Sequence, residues 1–260
     1  QALTQKGETS QEYLLHLLTN EIEYRTAKRK TKYLNTAGFP RRYLPEEFRT
    51  NEIDFPEGVN LQSLLNLDFY RTGKNIIMYG GTGTGKTMLS ILIGTSACNQ
   101  EIPVKFYRTA GLINLFSESQ AKGNLSALKK KLKSAEILIL DEPTAGLDPQ
   151  GKKEILDLVT KLHKTMTPTI IMINHDMDEV AKYANKVAVF DMGTVQYLLK
   201  PQQLFEKQDE LVKMGLDIPT LAKLKNYLAK RGIELPDDCI TVEKMTEYLA
   251  ELKTKGGKNV

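Results

Sequence analysis

The chain has 260 residues, with 36 Lys and Arg against 32 Asp and Glu, and 41% of its residues are apolar. These values suit a soluble globular protein of one large domain, or one domain with an appendage, and the basic excess is too small to name a partner. Apolar runs such as Ile170 to Ile173 are too short to cross a bilayer, and Cys98 and Cys239 stand apart, without the spacing of a metal site or a disulfide framework. No signal peptide is visible and Gln1 replaces a starting Met, so a trimmed start, a cytoplasmic location and two buried, reduced thiols are expected.

In chain order, Thr9 and Glu12 form a capping box ahead of Leu14, Leu18 and Ile22 at helical spacing. This predicts a helix running through the basic stretch Arg25, Lys28, Arg29, Lys30 and Lys32 and breaking near Gly38, Phe39 and Pro40, with Arg41 and Arg42 just beyond. A second basic cluster spans Lys129 to Lys133. Leu61, Leu64, Leu65 and Phe69 predict a short amphipathic helix. Asn75 to Tyr79 predicts a buried strand, Lys86 to Ala97 a helix, Val104 to Tyr107 a second strand with helical sequence after it to about Lys133, and Ile137 to Leu140 a third strand. Asp148 and Pro149 read as N-cap and first position of a helix carrying Ile155, Leu158, Val159 and Leu162. Thr169 to Ile173, Lys186 to Phe190 and a strand through Val195 and Tyr197 follow, and from Pro201 the chain reads as helices only. Strands alternating with helices predict an α/β three-layer sandwich, with a mostly parallel sheet covered on both faces. The expected division is an N-terminal helical segment, 1–58, a nucleotide-binding core, 59–200, and a C-terminal helical extension, 201–260.

The segment Gly80-Gly81-Thr82-Gly83-Thr84-Gly85-Lys86-Thr87 fits G-x-x-x-x-G-K-[ST] between a strand and a helix. Its glycines let successive N–H groups face a triphosphate at the positive end of the helix. Lys86 is placed to reach the β and γ phosphates and Thr87 to ligate Mg2+, so ATP with Mg2+ is the expected cofactor pair. The apolar strand ending in Asp141 and Glu142 is the companion motif, with Asp141 expected on the metal and Glu142 polarising the attacking water. His175 and Asn174, at the end of the fourth strand, are each candidates to sense the γ phosphate, and His175 is a catalytic candidate. Asp148 reads equally as a helix cap or as a functional loop residue.

From about Thr9 to Glu142 the chain resembles the IstB-like and DnaC-like AAA+ ATPases, transposition helpers and helicase loaders. The resemblance is carried by Glu12-Tyr-Leu-Leu-His-Leu-Leu, Ala37-Gly-Phe-Pro40, Gly73-Lys-Asn-Ile-Ile-Met-Tyr-Gly and the short gap to Asp141. From Ile137 to about Leu252 it is similar to the ATPase subunits of energy-coupling-factor ABC transporters. There Leu140-Asp-Glu-Pro-Thr-Ala-Gly-Leu-Asp-Pro149 looks like Walker B running into a D-loop containing Asp148, and Asn174-His-Asp-Met-Asp-Glu-Val180 looks like the switch-histidine region. Gly215-Leu-Asp-Ile-Pro, Arg231-Gly-Ile-Glu-Leu-Pro236 and Thr241-Val-Glu resemble that subgroup's C-terminal extension. The two resemblances share the Walker B strand.

The resemblances imply a P-loop ATPase whose own groups are intact and whose groups acting on a neighbouring subunit are not. The LSGGQ segment of ABC ATPases is missing, Phe116-Ser-Glu-Ser-Gln120 being only an echo of it, and Arg231 is the only arginine after position 108. Slow turnover is therefore expected unless a partner completes the site. The first half implies DNA and a transposase or helicase as partners, with the basic stretch either touching DNA or lying as a solvated face. The second half implies a transmembrane transporter subunit, which would place the chain at the membrane periphery. Self-association is expected from both. A third reading is an ATP-binding hybrid with little or no hydrolysis.

Overall fold

The computed structural model describes residues 9–48, 61–108, 111–114, 118, 132, 135–166, 169–191, 194–229, 231–232, 235–236, 239 and 241–255. The Lys129 to Lys133 cluster and the Phe116 to Gln120 segment lie, apart from Leu132 and Glu118, outside the described residues.

Six strands form one sheet: β1 (Ile76–Gly80), β2 (Val104–Arg108), β3 (Ile137–Asp141), β4 (Thr169–Ile173), β5 (Lys186–Asp191) and β6 (Thr194–Leu199). Their order across the sheet is β2-β3-β4-β1-β5-β6, and all neighbours are parallel except β5 and β6. β1 thus sits between β4 and β5, and the motif-bearing ends of β1, β3 and β4 open on one edge. In open α/β sheets ligands bind beyond the carboxyl ends of the strands.

The strands alternate their side chains between two cores, as a pleated sheet requires. Ile76, Met78, Ile137, Ile139, Ile171 and Phe190 join one core, together with Leu89, Ile91 and Ile93 of the helix Lys86–Asn99. Ile77, Leu138, Leu140, Met172, Val187 and Val189 join the other, with Ile155, Leu156, Val159 and Leu162 of the helix Pro149–Met166. The helices Pro201–Glu206, Gln208–Lys213 and Thr220–Ala229 place Leu204, Phe205, Leu211 and Ala222 in that second core. The two sequence resemblances therefore meet in a strand whose alternate residues serve opposite faces. Among the described residues, most helical side chains from before the join cover one face and those from after it the other, with Leu112, Ile113 and Leu132 as exceptions. This reduces the helix-on-helix complementarity that a join at β3 demands.

The first helix runs Ser10–Thr36 with the expected capping box, Glu12 N donating to Thr9 Oγ1 at 3.3 Å and Thr9 N to Glu12 Oε2 at 2.7 Å. Its apolar stripe does not enter the core: Leu14, Leu18 and Ile22 are 56%, 53% and 63% exposed. The helix is tied to the body at its far end, where Phe106 N donates to Ala37 O at 2.8 Å and Phe39 meets Phe106 edge-to-face, centroids 6.1 Å apart.

The single helix expected from Leu61 to Phe69 is two short ones, Leu61–Leu65 and Asp68–Arg71. Leu67 between them has φ +65° and is fully buried. A left-handed leucine costs about 1–2 kcal/mol, and here it turns the chain so that Leu64, Leu67 and Phe69 all reach the core. Among the described residues no helix is long and apolar enough to cross a membrane.

Candidate functional site

Gly80 ends β1 with φ +149°, and a Cβ there would lie 2.1 Å from Phe190 O, inside the β1–β5 ladder. Only glycine fits, and the chain leaves the sheet into a loop in which Gly83 and Gly85 hold φ +81° and +89°. These left-handed turns curl the loop from Gly80 to Thr87 onto the start of the helix Lys86–Asn99. Among the described residues, the loop amides from Thr82 to Lys86 donate to no protein acceptor. Unpaired N–H groups at a helix head are an anion cradle, and no Cβ or side chain fills the space at Gly83.

Lys86 is the cation of this cradle. Its side chain is buried, and its ammonium donates to Gly80 O at 2.8 Å, Gly81 O at 2.5 Å and Thr84 Oγ1 at 3.3 Å. An ammonium has three donors and no acceptor, so the loop's own oxygens take the places that phosphate oxygens can fill. Burial pushes the Lys86 pKa below its ordinary value, opposed by the nearby Glu142 and Asp141 carboxylates.

Asp141, at the end of β3, is 7% exposed and has both oxygens engaged. Thr87 Oγ1 donates to its Oδ1 at 3.1 Å and Arg108 Nε to its Oδ2 at 3.3 Å. The sequence-predicted metal pair, Thr87 and Asp141, is thus brought together across 54 positions of chain. Hard oxygen donors of this kind suit Mg2+, which usually takes one or two carboxylates plus substrate phosphates rather than a full protein cage. Accordingly, among the described residues no cluster of three or more His, Cys, Asp or Glu could hold a metal alone.

Glu142 follows with φ +50°, a left-handed conformation unusual outside glycine. Its N–H donates to Ile173 O at 3.0 Å, which ties it to the end of β4. There His175 Nε2 lies 2.9 Å from Glu142 Oε1. The contact is a hydrogen bond to a carboxylate in the tautomer whose Nε2 carries the proton. Asn174, the alternative γ-phosphate sensor, is placed differently. It is 3% exposed, its Nδ2 donates to Glu179 Oε2 at 2.6 Å, and its Oδ1 accepts from Asp176 N at 3.0 Å. With its amide hydrogen-bonded inside the protein, Asn174 holds the strand end while His175 meets Glu142. Asp148 caps a helix, its Oδ1 accepting from Gly151 N at 2.9 Å.

Three contributors were not legible in the motifs. Arg108 reaches Asp141 because β2 and β3 pair Arg108 with Asp141 in register. Glu179 accepts from Asn174 and, at 3.1 Å, from Thr144 Oγ1, and so links the loop after Glu142 to the residue before His175. The C-terminal segment lines a cleft of ≈ 430 Å³ beside Glu142 and His175 through Asp217, Ile218 and Thr220. Asp217 N donates to the Tyr79 hydroxyl at 3.1 Å, next to the start of the loop.

A parallel-rich sheet with this loop at the head of a helix defines an ATP-binding P-loop protein of the α/β three-layer class. The chain matches the family model of IstB-like ATP binding proteins over residues 1–188 and belongs to that family. It also contains sequence related to a second group. It is 38% identical over 125 residues to the energy-coupling factor transporter ATP-binding protein EcfA2 of Caldanaerobacter subterraneus subsp. tengcongensis, covering 48% of this chain and 43% of that protein. To EcfA2 of Geobacillus kaustophilus it is 40% identical over 121 residues, 46% of this chain and 42% of that protein. The chain thus spans less than half the length of these curated relatives, and it is a hybrid P-loop NTPase. Among solved structures, AMPPCP-bound DnaA from Aquifex aeolicus aligns with a TM-score of 0.43 at 17% identity, over 83% of this chain and 68% of that one. The CbiO1 structure from Clostridium perfringens aligns with a TM-score of 0.41 at 21% identity, over 59% and 88%.

Proposed function

We propose that the chain is a DNA-associated helper ATPase of the IstB and DnaC type, binding Mg-ATP at the loop Gly80–Thr87. The observation that carries the ATP-binding part is the uncommitted row of loop amides beside Lys86, with Thr87 and Asp141 already adjacent, and the family match over residues 1–188 supports the helper type. Lys86 would exchange its loop carbonyls for the β and γ phosphates, and Thr87 and Asp141 would hold Mg2+. Bound Mg2+ supplies charge neutralisation on the phosphates. Glu142 would orient and polarise the attacking water, and His175, held against it, would contact the terminal phosphate.

Exposed Arg25, Lys28, Arg29 and Lys32 on the first helix support DNA contact, although Arg25 is paired with Glu21 at 2.6 Å and Arg29 with Glu101 at 3.2 Å. Lys30 and Lys32 have no ion pair among the described residues. The exposed Leu14, Leu18 and Ile22 beside them support a protein contact on the same helix, whether with a transposase, a helicase or a second copy.

The test has two arms. Mg-ATP at about 100 times Kd raises stability by roughly 2.7 kcal/mol, so a thermal melt moves upward, and Lys86→Ala abolishes the shift. Anisotropy of labelled duplex and single-stranded DNA then shows binding that weakens steeply with salt. Nucleotide binding with no DNA binding at low salt would remove the DNA-associated role while leaving the ATP site standing.

A second reading, an ATP-binding subunit of an energy-coupling-factor transporter, is favoured by the identity of up to 40% with EcfA2 proteins. Co-purification with a transmembrane subunit separates it from the first. ATP binding without turnover, with DNA or any partner present, supports a non-hydrolysing hybrid instead.

A further inference from the structure

Asp141 and Arg108 form an asymmetric pair. The carboxylate is buried, whereas the Arg108 side chain is 62% exposed and reaches it through Nε alone at 3.3 Å. Lys86, the other cation nearby, has its ammonium on Gly80 O, Gly81 O and Thr84 Oγ1. A buried carboxylate without a compensating charge is costly, and Glu142 adds a second negative group next in the chain. The register Arg108↔Asp141 fixes the two Cα atoms side by side on parallel neighbours, so the guanidinium reaches its partner without rearranging the backbone. Because most of the side chain is solvated, it can leave Asp141 without opening the core.

We propose that Arg108 is a resident counter-cation for Asp141, supplying positive charge where magnesium charge is otherwise needed and yielding the carboxylate when the metal arrives. This rests on the reading above, in which Thr87 and Asp141 form the magnesium side of an ATP site. Two consequences of opposite sign follow from one electrostatic cause. Without metal, a triphosphate approaching Asp141 and Glu142 is repelled, and Arg108 offsets that repulsion. With metal, the guanidinium and Mg2+ compete for the same oxygens. An arginine that simply gripped phosphate would strengthen binding in both conditions. A surface ion pair with no bearing on the site would alter neither.

The experiment is equilibrium binding of a fluorescent ATP analogue to the full chain, first in EDTA and then across a magnesium titration. It compares the natural sequence with Arg108→Gln, Arg108→Lys, Asp141→Asn and the Arg108→Gln/Asp141→Asn double variant, each checked by thermal melt. Arg108→Gln is expected to weaken metal-free binding and to lower the magnesium midpoint, each by about two- to fivefold, the range that partly exposed charge pairs carry. Arg108→Lys recovers most of both changes, and in the Asp141→Asn background Arg108→Gln no longer lowers the magnesium midpoint. Should Arg108→Gln fail to fold, Arg108→Met carries the same comparison. Parallel movement of the two quantities, or no movement in either, overturns the proposal. If the natural sequence binds no analogue in either condition, or Lys86→Ala binds as well, the nucleotide reading itself has failed and takes this inference with it.

Discussion

His175 Nε2 lies 2.9 Å from Glu142 Oε1, although the two residues are 33 positions apart and end different strands. Their meeting follows from the sheet order, in which β3 and β4 are neighbours and Glu142 N is bonded to Ile173 O at 3.0 Å. Glu142 occupies φ +50°, and such conformations persist where surrounding contacts hold them.

The pair predicts a separation of binding from turnover. Glu142→Gln keeps the nucleotide-induced melting shift and loses hydrolysis by about 10²–10⁴-fold, the usual contribution of a positioned base. His175→Ala lowers turnover with less effect on binding. Phosphate release under single-turnover conditions reads both. Normal hydrolysis by Glu142→Gln would show that another group polarises the water.

Two glycines separate backbone from side-chain crowding. At Gly80 an added methyl meets Phe190 O at 2.1 Å, and at Gly94 it meets the Phe39 ring at 2.7 Å and Ile139 Cδ1 at 2.8 Å. Side-chain ends can give way, so Gly94→Ala is expected to cost about 1–3 kcal/mol, an ordinary overpacking penalty. Gly80→Ala must part the β1–β5 ladder or abandon the left-handed turn, so it costs more and also abolishes nucleotide binding. Urea denaturation ranks the two. A Gly80→Ala protein as stable as the natural one contradicts the β1–β5 register.

Glu179 makes stability depend on pH. Burial raises its pKa above the ordinary 4.5, against hydrogen bonds from Asn174 and Thr144 that favour the carboxylate. Between the unfolded and the raised folded value the native chain keeps a proton that the unfolded chain has released. Stability contributed by this group therefore falls as pH rises through that window, and the penalty is complete above it. Glu179→Gln carries no charge and retains an acceptor for Asn174, so its melting temperature relative to the natural protein improves between acidic and neutral pH. A difference that is flat or shrinks over that range is incompatible with a buried, raised carboxyl.

Cys98 is fully buried, and burial raises its thiol pKa to about 11. The thiolate is the reactive form, so Cys98 resists Ellman's reagent at neutral pH in the native protein and reacts on denaturation. Because Cys98 lies in the helix that begins at Lys86, Mg-ATP is expected to slow whatever residual reaction occurs. Rapid labelling of Cys98 in the folded chain would show that this helix opens readily.

The sequence alone determined the parts set by local chemistry. The glycine-rich loop with Lys86 and Thr87 requires its own backbone geometry, the apolar runs of β1, β3, β4 and β5 declare buried strands, and Thr9 with Glu12 starts the first helix. These signals act within a few residues, which is why they can be read along the chain. What the tertiary structure decided is which ends meet. It put β4 between β1 and β3 and brought His175 rather than Asn174 to Glu142. It set Arg108 beside Asp141 through strand register and broke the expected helix at Leu67 so that three apolar side chains could be buried. It also left Leu14, Leu18 and Ile22 in solvent despite their helical spacing. Spacing fixes which side chains share a face, but burial needs a second surface, and that depends on packing between segments far apart in the chain.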